Sequence, residues 1–363
     1  MSSFGFRMMR LEKKLDLEKL NSRYLSFRAL AAVCDDWPAL LRVLFLGGHT
    51  HAALHDHSGN RLHLEIDGGN VRKVFALARA LGNSTRYEFT SEMINLRFDK
   101  HKESFKLGEI LSGDYAAFEY FMGICWLEGF NAELRPENDL HYRVTLDDLT
   151  WLVRKNHLGD CYAGPCLSRV FEPYEYRSWF QEILAHGDYF IDVGANVGGY
   201  AVRAAKLGAS VIALEPDSEN FSLLMKNLAL NDCPTVQPLN VAAGSSERTA
   251  PLYAPDEAGH SYSLVERGKM REYVQVKPLD QVISRAIGEP KIQLTKIDVE
   301  GNELDVILGA THVLKNTRYL MVEMWPRNRE TLLNSLKKLD FKLVDVGRTW
   351  GLTNELNLLF KKT

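Results

Sequence analysis

From about residue 189 onward, short apolar runs alternate with amphipathic stretches. The segments YFIDVGA, SVIALEP, TVQPLNVAA, IQLTKIDVEG, YLMVEMW, FKLVDVG and ELNLLFKK are rich in Val, Ile and Leu and have the length of strands. Between several of them, VGGYAVRAAKLG, DSENFSLLMKNLALND, NELDVILGATHVLK and RNRETLLNSLKKLD place apolar residues at i, i+3 and i+4, the period of a helix. Strand, helix and strand in series predict right-handed crossovers and a mostly parallel, doubly wound α/β sheet covered on both faces. No helical pattern separates FKLVDVG from ELNLLFKK, so an antiparallel strand near the C-terminus is expected to end the sheet.

The first 135 residues lack this rhythm. Residues 7–46 read as helical, VRKVFALARAL (71–81) as one amphipathic helix, and MINLRF with SFKL as a hairpin around Asp99 to Lys102. The polar, proline-bearing AELRPEND (132–139) reads as a linker. The expectation is a mixed α/β accessory domain over 1–135, its role open, and a second domain over 136–363. A chain of 363 residues has room for both.

Composition narrows the classes. At 45% hydrophobic and 25% charged residues, the chain can build a large core and is neither disordered nor fibrous. A formal net charge of −3 gives no global field to recruit nucleic acid or anionic lipid. The basic excess in residues 1–30 (Arg7, Arg10, Lys13, Lys14, Lys19, Arg23, Arg28) reads as a solvated helix face. Five cysteines without CxxC spacing argue against a disulfide framework and a zinc knuckle, and suit a reducing cytoplasm. No apolar run reaches the roughly 18 residues that span a bilayer, and the start lacks a signal-peptide core, so a cytoplasmic protein is expected.

The stretch YFIDVGANVGGY (189–200) carries the first chemical signal. A dinucleotide fingerprint needs glycines at the first, third and sixth positions of the turn, so that the backbone can approach a pyrophosphate. Counted from Gly194, the third position is Asn196; the pattern is Asp192-x-Gly194-x-x-x-Gly198. An acid at the end of the strand repels phosphate and welcomes a cation, such as the ammonium and sulfonium of S-adenosylmethionine (SAM). The next strand ends in Glu215, placed to accept bonds from ribose hydroxyls. Pro216 and the apolar Val241-Ala242-Ala243, at the end of the third strand, would line an adenine slot.

IDVGANVGGY, VIALEPDSENFSLLMKNLALN and LTKIDVEGNELDVILGA together resemble the FkbM-type SAM-dependent methyltransferases, over roughly residues 165–325. KIDVEG-x-E, Lys296 to Glu303, is the segment that narrows the resemblance to this type. It implies a Rossmann-like class I methyltransferase fold, SAM as donor, and hydroxyl acceptors on sugars, glycolipids or secondary metabolites. It does not account for the first 135 residues.

The IQLTKIDVEG strand runs into Asp298 and Glu300, which should project from the carboxyl edge of the sheet because unpartnered buried carboxylates cost several kcal/mol. Asp192, Glu215 and Asp298 thereby converge on one crevice. A hydroxyl acceptor must lose its proton, and Asp298 or Glu300 is the first candidate base, with Glu323 at the tip of YLMVEMW the second. Glu300 and Glu303 could instead cap the following helix. His260 reads as a loop residue and His312 as a packed helix residue.

Five histidines crowd GGHTHAALHDHSGNRLH (His49, His51, His55, His57, His63). Without HExxH or a nearby cysteine, and bracketed by glycines, the segment reads as an exposed polar loop, and no metal is assigned. Cys161-x4-Cys166 reads as a turn, and RVFEPYEYRSWF (169–180) as a packed lead-in helix able to wall an acceptor pocket. The leading function is O-methylation of a carbohydrate or natural-product hydroxyl, with residues 1–135 shaping acceptor access or the contacts of a homodimer. An RNA base methyltransferase gripping RNA through those residues is the alternative; it lacks the Asn/Asp-Pro-Pro-type segment such enzymes often carry where IDVEG stands. A scaffold that has lost transfer is a third reading.

Overall fold

The computed structural model divides the chain into two units, Met1–Arg135 and Pro136–Thr363. It describes residues 34, 49–55, 61–67, 74, 87–89, 93–98, 101–106, 123, 127 and 132–363, the last range without 156, 158, 255–261, 267, 326–328 and 348–355.

In the first unit, β1 (His49–His55) and β2 (Arg61–Asp67) form an antiparallel ribbon. The histidine-rich segment read as a loop is therefore largely strand. Its alternation buries Ala52, Leu54, Leu62, Leu64 and Ile66 and exposes His49, His51 and His63. Gly47, Gly48 and Gly59, which frame the segment in the sequence, lie outside the described residues. β3 (Tyr87–Phe89), β4 (Met93–Phe98) and β5 (His101–Lys106) form an antiparallel sheet, and β4 with β5 is the expected hairpin. The helices expected at 7–46 and 71–81 lie outside the described residues, except that Cys34 makes an isolated bridge to Leu54 and Val74 is helical. The expected linker contains a strand, β6 (Glu133–Pro136).

The second unit begins with a hairpin, β7 (His141–Leu146) and β8 (Leu149–Arg154). Asp147 and Asp148 both take positive φ at its two-residue turn, the backbone that matches strand twist. Short helical turns follow, at Gly159–Ala163, Leu167–Phe171, Pro173–Glu175, Tyr176–Phe180 and Gln181–Ile183. The lead-in helix is thus broken; two of these turns have π-type bonding.

The remaining elements are β9 (Tyr189–Val193), α1 (Gly199–Lys206), β10 (Ser210–Leu214), α2 (Ser218–Leu230), β11 (Val236–Leu239), β12 (Ala242–Gly244), β13 (Arg248–Ala254), β14 (Lys269–Pro278), α3 (Leu279–Ile287), β15 (Ile292–Ile297), α4 (Glu303–Leu308), α5 (Thr311–Lys315), β16 (Thr317–Met324), α6 (Arg329–Lys338), β17 (Phe341–Val346) and β18 (Leu356–Lys362). Seven strands make the main sheet, in the order β11-β10-β9-β15-β16-β18-β17. The first five run parallel, and β18 pairs antiparallel with both β16 and β17. The expected sheet, with its antiparallel closing pair, is present.

Alternation along β9 explains how the sheet is buried twice. Ile191 and Val193 join Ile212, Leu214, Ile297, Leu320 and Val322 in one core against α3, α4, α5 and α6. Phe190 faces the other way and meets Phe180 edge-on at 5.4 Å, while Phe180 also meets Tyr200 of α1 at 5.0 Å. Phe180 is fully buried, so truncation to Ala should cost about 3–5 kcal/mol. α2 also pairs with β8 through side-chain amides: Asn227 accepts from the Leu152 amide at 2.7 Å and Asn231 from the Thr150 amide at 2.9 Å. One helical turn apart, these two residues satisfy strand groups that would otherwise be unpaired.

Three local expectations need correction. TVQPLNVAA is two strands, because the Asn240 side chain donates to the carbonyls of Glu215 (2.9 Å) and Pro216 (3.0 Å) at the break. After it, β12 leaves the main sheet and pairs with β14, which pairs with β13; neither β13 nor β14 was expected. NELDVILGATHVLK is two helices, α4 and α5, broken at Gly309, where an added Cβ would lie 1.9 Å from the Gly244 carbonyl oxygen.

Candidate active site

The cleft lies where β9, β10 and β15 end side by side. The β9 turn is held to its neighbours by backbone: the amides of Gly194 and Ala195 donate to the Leu214 carbonyl at 3.0 and 2.9 Å, and the Asp298 amide to the Val193 carbonyl at 3.0 Å. Gly194 has φ +85°, and a Cβ there would lie 1.8 Å from the Asp298 carbonyl oxygen, so only glycine fits. Asn196 also has positive φ, which Asn tolerates, so the turn forms without a glycine at its third position. Gly198, with φ +99°, is the N-cap of α1, its backbone against Leu224, and is absent from the cleft lining, so it shapes the turn and, against expectation, does not line the site.

Asp192 is 1% exposed and lines the cleft. Neither of its oxygens has a side-chain donor in hydrogen-bond range. The register sets it beside Lys296 on β15 and Ala213 on β10. Burial pushes its carboxyl up to about 6 despite the Lys296 charge; the charge of Asp298 adds to the rise, and the Ala201 amide opposes it. Such a group is stabilised by an arriving cation.

Glu215, 4% exposed, accepts from the Asn196 amide at 2.8 Å and the Asp217 amide at 2.9 Å. Burial carries its carboxyl up to about 8, opposed by those two amides. Each oxygen keeps a lone pair for a hydroxyl. Asp217 caps α2 by accepting from the Asn220 amide at 2.8 Å, and Arg271 is its ion partner. Pro216, Val241, Ala242 and Leu252 form an apolar wall suited to a flat base.

Past β15 the chain turns through Glu300 (φ +57°) and Gly301 (φ +100°). The turn is pinned twice: Ser263 donates to the Glu300 carbonyl at 2.8 Å, and Glu303 accepts from the Gly301 amide at 2.7 Å. Glu303 therefore takes the capping role, fully buried, with its carboxyl raised to about 7 by burial. Asp298, Glu300 and Glu323 are half-buried at the mouth, and each offers an oxygen within 4.8 Å of the others. The Trp325 indole donates to Glu323 at 3.0 Å, and Lys296 reaches Asp298 at 2.8 Å. Carboxylates are the donors a hard divalent ion takes, but one Asp298 oxygen here already holds an ammonium.

All three candidate bases thus lie in one cleft with Asp192, Gly194, Asn196, Glu215, Pro216, Val241 and Ala242. His312 is an exposed residue of α5, not a packed one, and is absent from the cleft lining. His260 lies outside the described residues. Sequence reasoning missed Glu172, Tyr200 and Lys296. Glu172 lines the cleft from the lead-in segment and accepts from Tyr200 and from Asn357 (2.8 Å). Its signal was an acid inside an aromatic run, RVFEPYEY; that of Lys296 was a lysine inside an apolar strand, IQLTKI.

These residues suit a cationic adenosyl ligand: an acid without a side-chain donor, a hydroxyl-ready carboxylate and an apolar slot. A pyrophosphate would meet acids instead of open amides. Fold and edge together define a Rossmann-like methyltransferase that draws its methyl group from SAM.

A family model described as the methyltransferase FkbM domain matches residues 192–343. Methyltransferase sdnD of Sordaria araneosa is 30% identical over 176 residues, 39% of this chain and 68% of that protein. Hexuronic acid methyltransferase AglP of Haloferax volcanii is 31% identical over 157 residues, 41% of this chain and 63% of that protein. The matches therefore span about two thirds of these two relatives. Among solved structures, M. jannaschii TYW2 in complex with AdoMet shares 10% identity at a TM-score of 0.34, covering 64% of this chain and 90% of that chain. The chain belongs to the FkbM family of methyltransferases.

Proposed function

We propose that the enzyme methylates a hydroxyl oxygen of a sugar, glycolipid or secondary metabolite. The observation that carries this reading is the group of three carboxylates, Asp298, Glu300 and Glu323, gathered at the mouth beside the donor edge. SAM supplies an activated methyl group, so this chain's residues have two tasks, alignment and proton removal. Asp192 and Glu215 hold the donor. Asp298 or Glu300, with Glu323 behind them, takes the hydroxyl proton as the new ether bond forms, for which positioned bases contribute about 10²–10⁴-fold. Gathered carboxylates also suit a polyhydroxylated acceptor, whose hydroxyls donate to them, and one relative is named for a hexuronic acid substrate.

The reading assigns residues 1–135 an accessory role outside the transfer step, admits a homodimer, and places the enzyme in the cytoplasm. The buried thiols of Cys161, Cys166 and Cys233 suit that compartment. No helix among the described residues is long and apolar enough to cross a membrane. Incubation of the protein with methyl-labelled SAM and a panel of hexuronic acid glycosides and neutral sugars, followed by mass spectrometry, tests the proposal. A labelled ether on a sugar supports it. Label only on RNA bases, with RNA affinity falling steeply with salt, would replace it.

A further inference from the structure

Lys296 is 4% exposed, inside the central strand β15. Its Nζ lies 2.8 Å from an Asp298 oxygen and 5.1 Å from the centre of the Tyr200 ring. In the parallel register it stands directly beside Asp192 on β9, with apolar Met321 on its other side on β16. Glu172 of the lead-in segment faces it as well. Four elements thus turn three carboxylates and one aromatic face toward one ammonium. Among the described residues that line the cleft, it is the one Lys or Arg.

A buried lysine at such a place has two readings. As a base it would have to lose its proton, and burial alone would favour that. Here Asp298, Asp192 and Glu172 outweigh burial and hold its pKa above the ordinary lysine value, so it stays an ammonium. A permanent cation in a site for a cationic donor repels the ligand, unless its stronger effect is on the acids around it. Asp192 shows why that effect dominates: without side-chain donors and fully desolvated, it titrates near 6 even with Lys296 alongside.

We propose that Lys296 is a positioning residue for the methyl donor: a fixed countercharge beside Asp192 that favours its carboxylate form and anchors the Asp298 side chain at the cleft edge. The proposal rests on the β9–β10–β15 edge being the donor site. On it, the donor meets a formed Asp192 carboxylate instead of having to expel its proton, at the cost of some repulsion from the ammonium.

The two effects have opposite signs and different pH dependence, which makes them separable. Calorimetric titration of SAM into the full-length wild type, Lys296→Met and Lys296→Arg at pH 6.5 and pH 9 reads them out. At pH 6.5, Lys296→Met should bind SAM about threefold or more weakly than wild type, because one lost pKa unit of support, starting from about 6, cuts the ionised fraction of Asp192 about threefold at that pH. At pH 9 Asp192 ionises unaided and the repulsion is gone in the variant, so the ratio should fall to about one or invert. Lys296→Arg should stay close to wild type at both. S-adenosylhomocysteine, which lacks the sulfonium charge, should show less of the gain at pH 9. Equal loss at both pH values, or no loss at either, overturns the proposal; a wild type that binds no SAM overturns the donor-site reading instead. If Lys296→Met does not fold, Asp298→Asn serves. Removing the like charge and freeing the ammonium for Asp192 should move the pH midpoint of SAM affinity downward, and an unmoved midpoint overturns the proposal.

Discussion

The two halves of the cleft are built by different means. The proposed donor half is held by backbone: Asp192 and Glu215 are 1% and 4% exposed, Glu215 is held by two amides, and the Gly194 turn leaves no room for a Cβ. The mouth is made by side chains: Asp298, Glu300 and Glu323 stand half-buried on a left-handed turn and a strand tip. A fixed backbone suits an invariant ligand, while half-buried side chains at the mouth suit the proposed chemistry on the acceptor. Substitutions in the first half should therefore act on donor affinity and stability, and those in the second on turnover.

The largest separation is expected from Asp298→Asn combined with Glu300→Gln. Turnover should fall by about 10²–10⁴-fold, while SAM affinity in a calorimeter changes by no more than about threefold in the Glu300→Gln single variant. If turnover survives the pair, Glu323 or solvent is the base. Asp192→Ala should do the reverse, weakening SAM by about 10²-fold, within the range for truncating a buried charge partner, and lowering kcat at saturating donor far less. Gly194→Ala should cost about 1–3 kcal/mol through forced positive φ alone, and more through the clash with Asp298, visible as a lower Tm. An unchanged Tm would mean that the turn relaxes freely.

The smallest effect is graded with pH. The carboxylate of Asp192 is the form a cation binds, and in the free enzyme it is protonated below about 6. Binding must then expel that proton, so SAM affinity should drop about tenfold per unit below pH 6. Glu300 and Glu323 should not set this limb, and Glu300→Gln should leave its midpoint unmoved.

The donor half was legible in the sequence because its signals are local. Asp192, Gly194 and Glu215 sit at strand ends that hydrophobic runs announce, and parallel strands put those ends along one edge. What escaped depends on distant pairing. Lys296 looked like one more polar interruption, since only the β9–β15 register sets it beside Asp192. Glu172 reaches the cleft through broken helical turns that aromatic spacing does not reveal. β13 and β14 were missed because their faces alternate poorly; β14 keeps Met270 and Tyr273 exposed. The histidine-rich ribbon was misread because its burial lies at Ala52 and Leu54, between the residues that drew attention.

The central claim is that the β9, β10 and β15 ends form a seat for a sulfonium donor. A crystal structure of the full-length protein with SAM tests it most directly. The account predicts ribose hydroxyls on Glu215, the base against Pro216, Val241 and Ala242, and the methionyl end between Asp192 and the Asp298 turn. SAM bound elsewhere with this cleft empty, or a phosphate-bearing molecule preferred in it, would contradict the account.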